Sequence, residues 1–442
     1  MIRSSTALRA LALAGAASVL LAACSTASPS DDASSSASSS AKTDPAASCE
    51  AGTPSTDPFA IGTMLPLTGT LAYLGPPAIA GANQAITDIN AAGGVLDQPA
   101  EISTSTDSGD SNDMTVSSNA ATQLIDADVP VVLGAESSSV TLNVVDQLTS
   151  NCIIEISPAN TASSLSGYSS YYYRTAPPDS VQGSALGQQI TADGNANVAF
   201  LVFNDTYGTG LRDSTQKSIE SSGGTVVYGG TGKGEEFPPG QTTFSSEVSA
   251  AIAAEPDAIV ILAFDETKSI VPELKSQGWD MSKVYMSDGN TADYSADFEP
   301  GTLEGAKGTI PGADASADFK SKLVAGYQAS EGGELADFSY AAESYDAVIL
   351  TALAAQAGGG TDAGTIQANM AAVSGANGGT ECTTYADCKT ALDAGDDIHY
   401  TGPSGIGSFN DNNDPSSASI GVYTFDADNK PVYQTGIEGK VE

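Results

Sequence analysis

The chain has 442 residues, of which 16 are Lys or Arg and 54 are Asp or Glu, so its formal net charge at pH 7 is −38. Phosphate binding requires clustered basic side chains, so we expect no nucleic-acid partner. The acidity is interpreted as a soluble surface rather than as a binding feature. Hydrophobic residues make up 40% of the chain, and the length suits two domains with sizeable cores.

The N-terminus has the pattern of an export signal. Arg3 and Arg9 form a short basic region, and the apolar stretch Ala10–Ala23 that follows is too short to span a membrane. This stretch closes in Leu-Ala-Ala-Cys, which resembles a bacterial lipobox and implies cleavage before Cys24 and lipidation of its sulfur. We therefore expect a signal peptide over residues 1–23 and a lipid anchor on the extracytoplasmic face of the cell membrane. The alternative is an ordinary secretory signal with a chance cysteine.

A low-complexity segment follows the lipobox. Residues 24–56 are mostly Ser, Ala, Asp, Pro and Thr without periodicity. Such a segment cannot bury apolar surface, so we predict a disordered tether that holds the folded part away from the bilayer.

Four cysteines remain after the lipobox, and an even number in an exported protein suggests disulfides. Cys382 and Cys388 flank a five-residue loop and are predicted to pair locally. Cys49 with Cys152 then follows by elimination. A metal site is the alternative, but the chain has a single histidine and no Cys-x-x-Cys motif. We expect no metal and no cofactor.

Short apolar runs alternate with helical patterns from residue 59 onwards. The first predicted elements are strand Phe59–Leu65, helix Pro76–Ala91, strand Ala100–Ser105, helix Met114–Ala127, strand Val129–Gly134, helix Val140–Ser150 and strand Cys152–Ile156. After Pro177-Pro178 the predicted elements are helix Val181–Ala192, strand Asn197–Phe203, helix Gly208–Ser221, strand Thr225–Tyr228, helix Phe244–Ala254, strand Ala258–Ala263, helix Thr267–Gln277 and strand Val284–Met286. This alternation predicts two consecutive α/β units with parallel strands, and hence two lobes.

The remaining third of the chain is less regular. Helices are predicted over Phe319–Ser330, Phe338–Ala357 and Ala363–Ser374, and late strands over Ser419–Phe425 and Pro431–Thr435. The three helices have no strands of their own, so they must cover a sheet that is already built. We therefore expect the chain to return to the first lobe and to end in the second.

Ligands of open α/β sheets bind beyond the carboxyl ends of the strands, where helices begin and their free N–H groups attract carboxylates. In the first lobe these turns contain Ser137-Ser138-Ser139 and the stretch Ser157–Thr161. In the second they contain Asn204–Gly208, Phe264-Asp265 and Ser287–Asn290. From the residues alone, helix capping and ligand binding both remain open for the serines and for the acidic residues.

Several stretches resemble one known family. Gly62–Gly69, Leu74-Gly75 and the helix end Asp88–Gly94 are similar to the opening of type I periplasmic binding proteins, in the leucine/isoleucine/valine-binding branch of ABC-importer receptors. Further matches occur in the family's order at residues 134–139, 156–161, 173–175 and 204–208. The resemblance covers about residues 58–435.

The resemblance implies an α/β fold of two Rossmann-like lobes with central parallel sheets, joined by a three-stranded hinge in a "Venus flytrap". The implied crossovers lie near Thr175–Asp179, Thr309–Ala313 and Pro415–Gly421. The implied lobes are residues 57–177 plus 311–417 and residues 178–310 plus 418–442. A monomer is expected.

The resemblance also implies roles for matched residues. Ser137 and Thr161 would bind a ligand carboxylate, and the Ala159 carbonyl and Asp288 would receive an α-ammonium group. The rest of the implied ligand-binding set is Tyr207, which would close over the ligand, Leu74 and Phe264, which would line the side-chain pocket, and Ser138 and Asn160 in the same two turns. Family members often have Glu at the position of Asp288 and an aromatic residue at that of Leu74, so the side chain of the ligand stays open.

The function expected from these features is that of a lipid-anchored substrate-binding protein of an ABC importer, which captures a small amino acid, branched-chain or related, by lobe closure and contacts the permease subunits. The alternative is a ligand-sensing lipoprotein for amides, urea or amino acids that is not coupled to a transporter. An enzyme is not expected, because the chain has no G-x-S-x-G elbow and only one histidine.

Overall fold

The computed structural model describes residues 43–50 and 53–441. The predicted signal peptide, Cys24 and the tether up to residue 42 lie outside the described residues. Within the described part of the chain, no helix is long and apolar enough to cross a membrane.

The N-terminal lobe is built on a parallel five-stranded sheet with the order β2-β1-β3-β4-β5. Its strands are β1 (Phe59–Leu65), β2 (Ala100–Asp107), β3 (Val131–Gly134), β4 (Ile154–Ser157) and β5 (Tyr172–Arg174). Its first helices are α1 (Gly75–Ala91), α2 (Met114–Asp126) and α3 (Ser138–Ser150). Strands β3 and β4 are buried throughout, as expected for a parallel sheet covered on both faces.

The second lobe is built on a seven-stranded sheet with the order β14-β13-β10-β9-β8-β6-β7. Its strands are β6 (Asn197–Val202), β7 (Thr225–Tyr228), β8 (Ala258–Leu262), β9 (Val284–Met286), β10 (Lys307–Pro311), β13 (Ser417–Phe425) and β14 (Pro431–Lys440). Its helices are α4 (Asp179–Ala192), α5 (Thr206–Ser221), α6 (Ser245–Ala253) and α7 (Thr267–Ser276). Strands β6 to β10 run parallel, whereas β13 and β14 are added antiparallel.

After β10 the chain returns to the N-terminal lobe, as predicted. The elements of this return are α8 (Ala317–Ser330), α9 (Ala341–Gly358), α10 (Ala363–Val373), β11 (Thr380–Cys382), α11 (Tyr385–Asp393) and β12 (Ile398–Tyr400). Helix α9 is buried on nearly all sides, because its apolar residues share one core with β1, β3 and β4. The chain then enters β13 and ends in the second sheet.

The predicted fold class is confirmed: two α/β lobes with parallel sheets, between which the chain crosses three times. The crossings lie between β5 and α4, between β10 and α8, and between β12 and β13. The residue numbers at which one lobe gives way to the other stay a prediction.

The tether prediction is wrong for residues 43–50. Ala46 in this segment is buried, and the carboxylate of Asp44 accepts hydrogen bonds from the Ser169 hydroxyl (2.7 Å) and the Ser170 N–H (3.0 Å). The segment is held because Cys49 forms a disulfide with Cys152, which tethers it to the end of α3. The low-complexity composition predicted disorder here, although the pairing of Cys49 with Cys152 was itself predicted.

Both predicted disulfides are present. Cys49–Cys152 joins residues 103 apart in the chain, and Cys382–Cys388 joins residues 6 apart. The first pins the start of the folded region to the N-terminal sheet, and the second ties β11 to α11.

Candidate ligand-binding site

The loops that follow β3 and β4 meet the loops that follow β6, β8 and β9 in the cleft between the lobes. They enclose a cavity of about 20 Å³, which is room for about one water molecule. The cavity is lined by Leu71, Leu74, Glu136, Ser137, Ser138, Ala159, Tyr207, Phe264, Asp288, Gly289 and Tyr340. Seven of the nine predicted ligand-binding residues are in this set, and the two that are not are Asn160 and Thr161.

The lobes are closed on each other in this structure. Leu71, Leu74, Ala159 and Tyr340 of the N-terminal lobe belong to the same buried apolar cluster as the core of the second lobe. Next to them, the Ser139 hydroxyl donates a hydrogen bond of 2.7 Å to the Asp205 carboxylate. The contacts between the lobes are therefore both apolar and polar.

The serine turn after β3 starts helix α3. Ser137 is the N-cap, and its hydroxyl accepts a long hydrogen bond of 3.5 Å from the Val140 N–H. The Ser138 hydroxyl instead accepts from the N–H groups of Thr161 (3.3 Å) and Ala162 (3.2 Å) in the turn after β4. Ser138 thus ties the two predicted carboxylate-binding turns together, while Ser137 is only weakly engaged by its own helix.

Asn160 and Thr161 differ in how their side chains are used. The Asn160 amide nitrogen donates to the Ala135 carbonyl (3.0 Å) and the Thr141 hydroxyl (2.6 Å), and its oxygen accepts from the Tyr172 hydroxyl. Asn160 therefore holds the shape of the turn. The Thr161 hydroxyl, by contrast, is buried and faces the Asp179 carboxyl group, without a hydrogen bond of good geometry to any described residue.

Asp288 is one of the second-lobe residues that line the cavity, and it is 5% exposed. Its Oδ1 accepts a hydrogen bond of 2.6 Å from the Tyr207 hydroxyl, and its Oδ2 accepts one of 2.5 Å from the Tyr340 hydroxyl. Burial raises the pKa of Asp288, although the two tyrosine hydrogen bonds oppose the shift. The carboxyl group is thus already shared between both lobes.

Aromatic rings form the apolar wall of the cleft. Tyr207 and Phe264 are stacked, with ring centroids 5.4 Å apart and an interplanar angle of 12°. Phe203 supports Phe264 from behind in an edge-to-face contact at 4.8 Å. Asp205, the N-cap of α5, accepts from the Tyr207 N–H at 3.0 Å and so holds the start of the helix that carries this ring.

Sequence reasoning missed four lining residues: Leu71, Glu136, Gly289 and Tyr340. Tyr340 lies within a predicted helix, but it precedes α9 in a left-handed conformation with φ 59° and turns its ring into the cleft. Its position depends on the return of the chain to the N-terminal lobe, which gives no local signal. Glu136 lies in the matched turn at residues 134–139, and its acidic side chain was the one sequence feature that could have marked it as a site residue.

Glu136 is the least satisfied group of the site. It is 3% exposed, and neither of its carboxylate oxygens has a hydrogen-bond partner among the described residues. Burial raises the pKa of Glu136 well above its ordinary value.

The cavity is lined by acidic groups but by no basic ones. None of the residues that line the cavity is Lys, Arg or His. The guanidinium group of Arg174 does not line the cavity. It pairs with the Asp414 carboxylate at 2.6 Å and donates to the Ala162 carbonyl at 2.9 Å. Across residues 43–50 and 53–441, no group of three His, Cys, Asp or Glu residues is arranged to hold a metal ion.

The chain is similar to several curated bacterial proteins. It is 26% identical to Leu/Ile/Val-binding protein homolog 3 of Brucella melitensis, over 45% of this chain and 52% of that protein. It is 27% identical to Leu/Ile/Val-binding protein homolog 1 of Brucella suis, over 68% of this chain and 79% of that protein. With an amino acid binding protein of Pseudomonas aeruginosa the identity is 29%, over 52% and 59% of the two chains. The chain spans about half the length of the first of these relatives.

Solved structures share the fold. The leucine binding protein LivK of Thermotoga maritima matches with a TM-score of 0.69 at 22% identity, over 86% of this chain and 98% of that one. The branched-chain amino acid binding protein LivJ of Streptococcus pneumoniae, solved in complex with isoleucine, also matches with a TM-score of 0.69 at 22% identity, over 87% and 100%. These matches confirm the type I periplasmic binding protein fold.

A family model described as periplasmic binding protein matches residues 58–393, which is more than half of the chain. Proteins of this family and fold bind solutes and are not enzymes, so the expectation that the chain is not an enzyme is confirmed. The chain belongs to the periplasmic binding protein family.

Proposed function

We propose that this protein captures a small amino acid between its lobes and presents it to the permease subunits of an ABC importer. The observation that carries the proposal is that seven of the nine residues expected to touch such a ligand line one cavity in the cleft. They come from turns of both lobes, so a ligand held by all of them would hold the lobes together.

The α-carboxylate of the ligand would lie at the N-terminal lobe. The weakly engaged hydroxyls of Ser137 and Thr161 are available to donate to it. The N-terminus of α3 adds a favourable dipole for negative charge. Hydrogen bonds to a charged group are each worth about 1.5–3 kcal/mol.

The α-ammonium group would be received by the Ala159 carbonyl and by Asp288. Both Asp288 oxygens already accept from tyrosines, but each carboxylate oxygen can accept a second hydrogen bond. The side chain of the ligand would then contact Leu74, Tyr207 and Phe264.

Binding requires the lobes to open. The cavity of about 20 Å³ is too small for an amino acid, so the ligand would first meet the turns of the N-terminal lobe. Closure would then add Tyr207, Phe264 and Asp288. Because only the closed form makes both sets of contacts, the ligand shifts the population towards closure.

The branched-chain amino acids are the first candidates because the curated relatives carry Leu/Ile/Val-binding names. A thermal-shift screen of the purified protein against the twenty amino acids, simple amides and urea tests the proposal. Stabilisation grows as RT ln(1 + [L]/Kd), so even moderate binders raise the melting temperature. A response to amides or urea alone would replace the importer proposal with the sensory one.

Calorimetry tests the ammonium position. Asp288→Ala should weaken binding of the amino acid that gives the largest thermal shift by tenfold or more, because one charge-assisted contact is lost. Unchanged affinity would show that the ammonium group lies elsewhere.

The family is consistent with a location outside the cytoplasm, and we propose that lipidation of Cys24 fixes the protein to the cell membrane. Cys24→Ser should release the protein from the membrane fraction, whereas Cys382→Ser should leave it there. Retention of the Cys24→Ser variant in the membrane fraction would argue against the anchor.

A further inference from the structure

Glu136 directly precedes the N-cap of α3 and lines the same cavity as Asp288. The half-buried Tyr73 reports on both groups. Its hydroxyl donates to the Asp288 carbonyl at 3.2 Å, and its pKa is raised by burial first, then by Asp337 and Tyr294, and to a smaller extent by Asp288 and Glu136. The cleft therefore presents two carboxyl groups to a single small ligand.

Nothing in the described structure would compensate a negative charge on Glu136, in keeping with its raised pKa. No N–H or O–H group donates to either oxygen, and the N-terminus of α3 supplies no direct hydrogen bond to them. Arg174 is committed to Asp414 and to backbone carbonyls. A third buried carboxyl group is that of Asp179, whose pKa is raised to about 7 by burial first and also by the negative charge of Asp288, against a lowering contribution from the Thr161 hydroxyl.

This arrangement is a poor match for an aliphatic amino acid. A zwitterionic ligand brings one positive group, which the Ala159 carbonyl and Asp288 already serve in the proposed function. Glu136 would then stay buried next to an apolar side chain, where its raised pKa favours the protonated form and the carboxyl group still lacks a hydrogen-bond partner. A positive charge on the side chain of the ligand would stabilise the ionised carboxylate and give it that partner.

We propose that Glu136 pairs with a cationic group on the ligand side chain, so that the preferred ligands are amino acids such as lysine, ornithine or arginine. This inference rests on the proposed function, because it assumes that the cleft binds an amino acid. It names the substrate class of that site and gives Glu136 the role of the specificity-determining residue.

The walls of the cavity suit such a side chain. Leu71, Leu74 and Phe264 offer apolar surface to a methylene stem, as long basic side chains need. The rings of Tyr207 and Tyr340 add negative ring faces that favour a nearby cation. Glu136 would hold the charged end of the stem.

Isothermal titration of the wild-type protein with L-lysine, L-arginine and L-leucine tests the inference. The dissociation constant for lysine or arginine should be at least tenfold lower than that for leucine. In Glu136→Gln the ratio of the leucine to the lysine dissociation constant should fall by tenfold or more, because glutamine keeps the shape of the side chain but cannot ionise. Affinity for leucine should change little in the same variant, since glutamine and a protonated Glu136 are both neutral.

Glu155→Gln is the matched control. Glu155 is also fully buried, it accepts from the Ala135 N–H at 3.3 Å, and it does not line the cavity. This variant should keep the wild-type ratio. If a variant does not fold, as judged by its thermal melt, the wild-type ratio alone decides the question.

Three results are distinguishable. Equal or tighter binding of leucine by the wild-type protein overturns this inference and leaves the proposed function in place. An unchanged ratio in folded Glu136→Gln also overturns the role of Glu136. If none of the twenty amino acids binds, the proposed function is overturned and this inference with it.

Discussion

The hydroxyl of Tyr340 donates a hydrogen bond of 2.5 Å to Asp288, and this bond joins the two lobes across the cleft. Tyr340 directly precedes α9 of the N-terminal lobe, whereas Asp288 follows β9 of the second sheet. Tyr207, from the second lobe itself, occupies the other oxygen of the same carboxyl group. The residue expected to receive the ammonium group of the ligand thus also holds the closed arrangement together.

Removing the Tyr340 hydroxyl should favour the open form. A hydrogen bond to a charged acceptor contributes about 1.5–3 kcal/mol, so Tyr340→Phe should shift the ligand-free equilibrium towards the open form by about tenfold or more. Small-angle scattering should then give a larger radius of gyration without ligand. Tyr345→Phe is the control, because it removes a 2.8 Å hydrogen bond to Asp88 within one lobe. An equal change in both variants would contradict a specific role in closure.

Thr161 and Asn160 should separate binding from folding. Thr161→Val removes a hydroxyl that faces the Asp179 carboxyl group without a well-formed hydrogen bond, so stability should be nearly unchanged while amino acid affinity falls by about tenfold. Asn160→Ala leaves several buried partners unsatisfied and should lower the free energy of unfolding by about 2–4 kcal/mol. Urea unfolding and calorimetry on both variants check the contrast. A large loss of stability in Thr161→Val would mean that its hydroxyl serves the fold.

Periodicity was sufficient to predict most of the fold. Strands such as Phe59–Leu65 and Val284–Met286 are apolar runs between clear turns, and the structure places them at the predicted bounds. Strand β10 was missed because its five residues include a lysine, a glycine and a terminal proline. It is a strand only because β9 and β13 pair with it on both sides. Such pairing is a tertiary effect that local sequence does not encode.

The candidate site, like the fold, was predictable where local sequence decides the structure and not where tertiary packing does. The turns after strands were predictable, because strand ends and helix starts can be read along the chain. Tyr340 could not be placed, since its approach to Asp288 depends on how the returning helices pack on the first sheet. Glu136 was visible as an acidic residue in a matched turn. Its lack of a hydrogen-bond partner depends on every residue packed around it, so it can be seen only in the structure.

The two disulfides should differ in their effect on stability. A cross-link stabilises mainly by restricting the unfolded chain, more so for a longer loop. The separations of 103 and 6 residues correspond to roughly 5 and roughly 2 kcal/mol in that description. The double variant Cys49→Ser/Cys152→Ser should therefore lose more unfolding free energy than Cys382→Ser/Cys388→Ser. Equal losses in urea unfolding would indicate that strain or residual structure outweighs loop length.

Asp179 should make the protein less stable as pH rises. Burial raises the pKa of its carboxyl group from 3.8 to about 7. Between these values the unfolded chain has released the proton while the folded protein still holds it. The stability contributed by this proton is therefore complete below pH 3.8 and is lost as pH rises towards 7. For each pH unit of that window, the free energy of unfolding should fall by at most about 1.4 kcal/mol.

Asp179→Asn cannot ionise, so it should remove this part of the pH dependence. Relative to the wild-type protein, it should gain stability at about pH 8 and gain much less at about pH 5, because Asp179 is still protonated in the folded protein at the lower pH. Urea unfolding at the two pH values measures the difference. Asp428→Asn, at an exposed turn between β13 and β14, controls for the loss of one acidic side chain. The same gain at both pH values would mean that Asp179 is ionised throughout, and that an unidentified partner inside the hinge stabilises its charge.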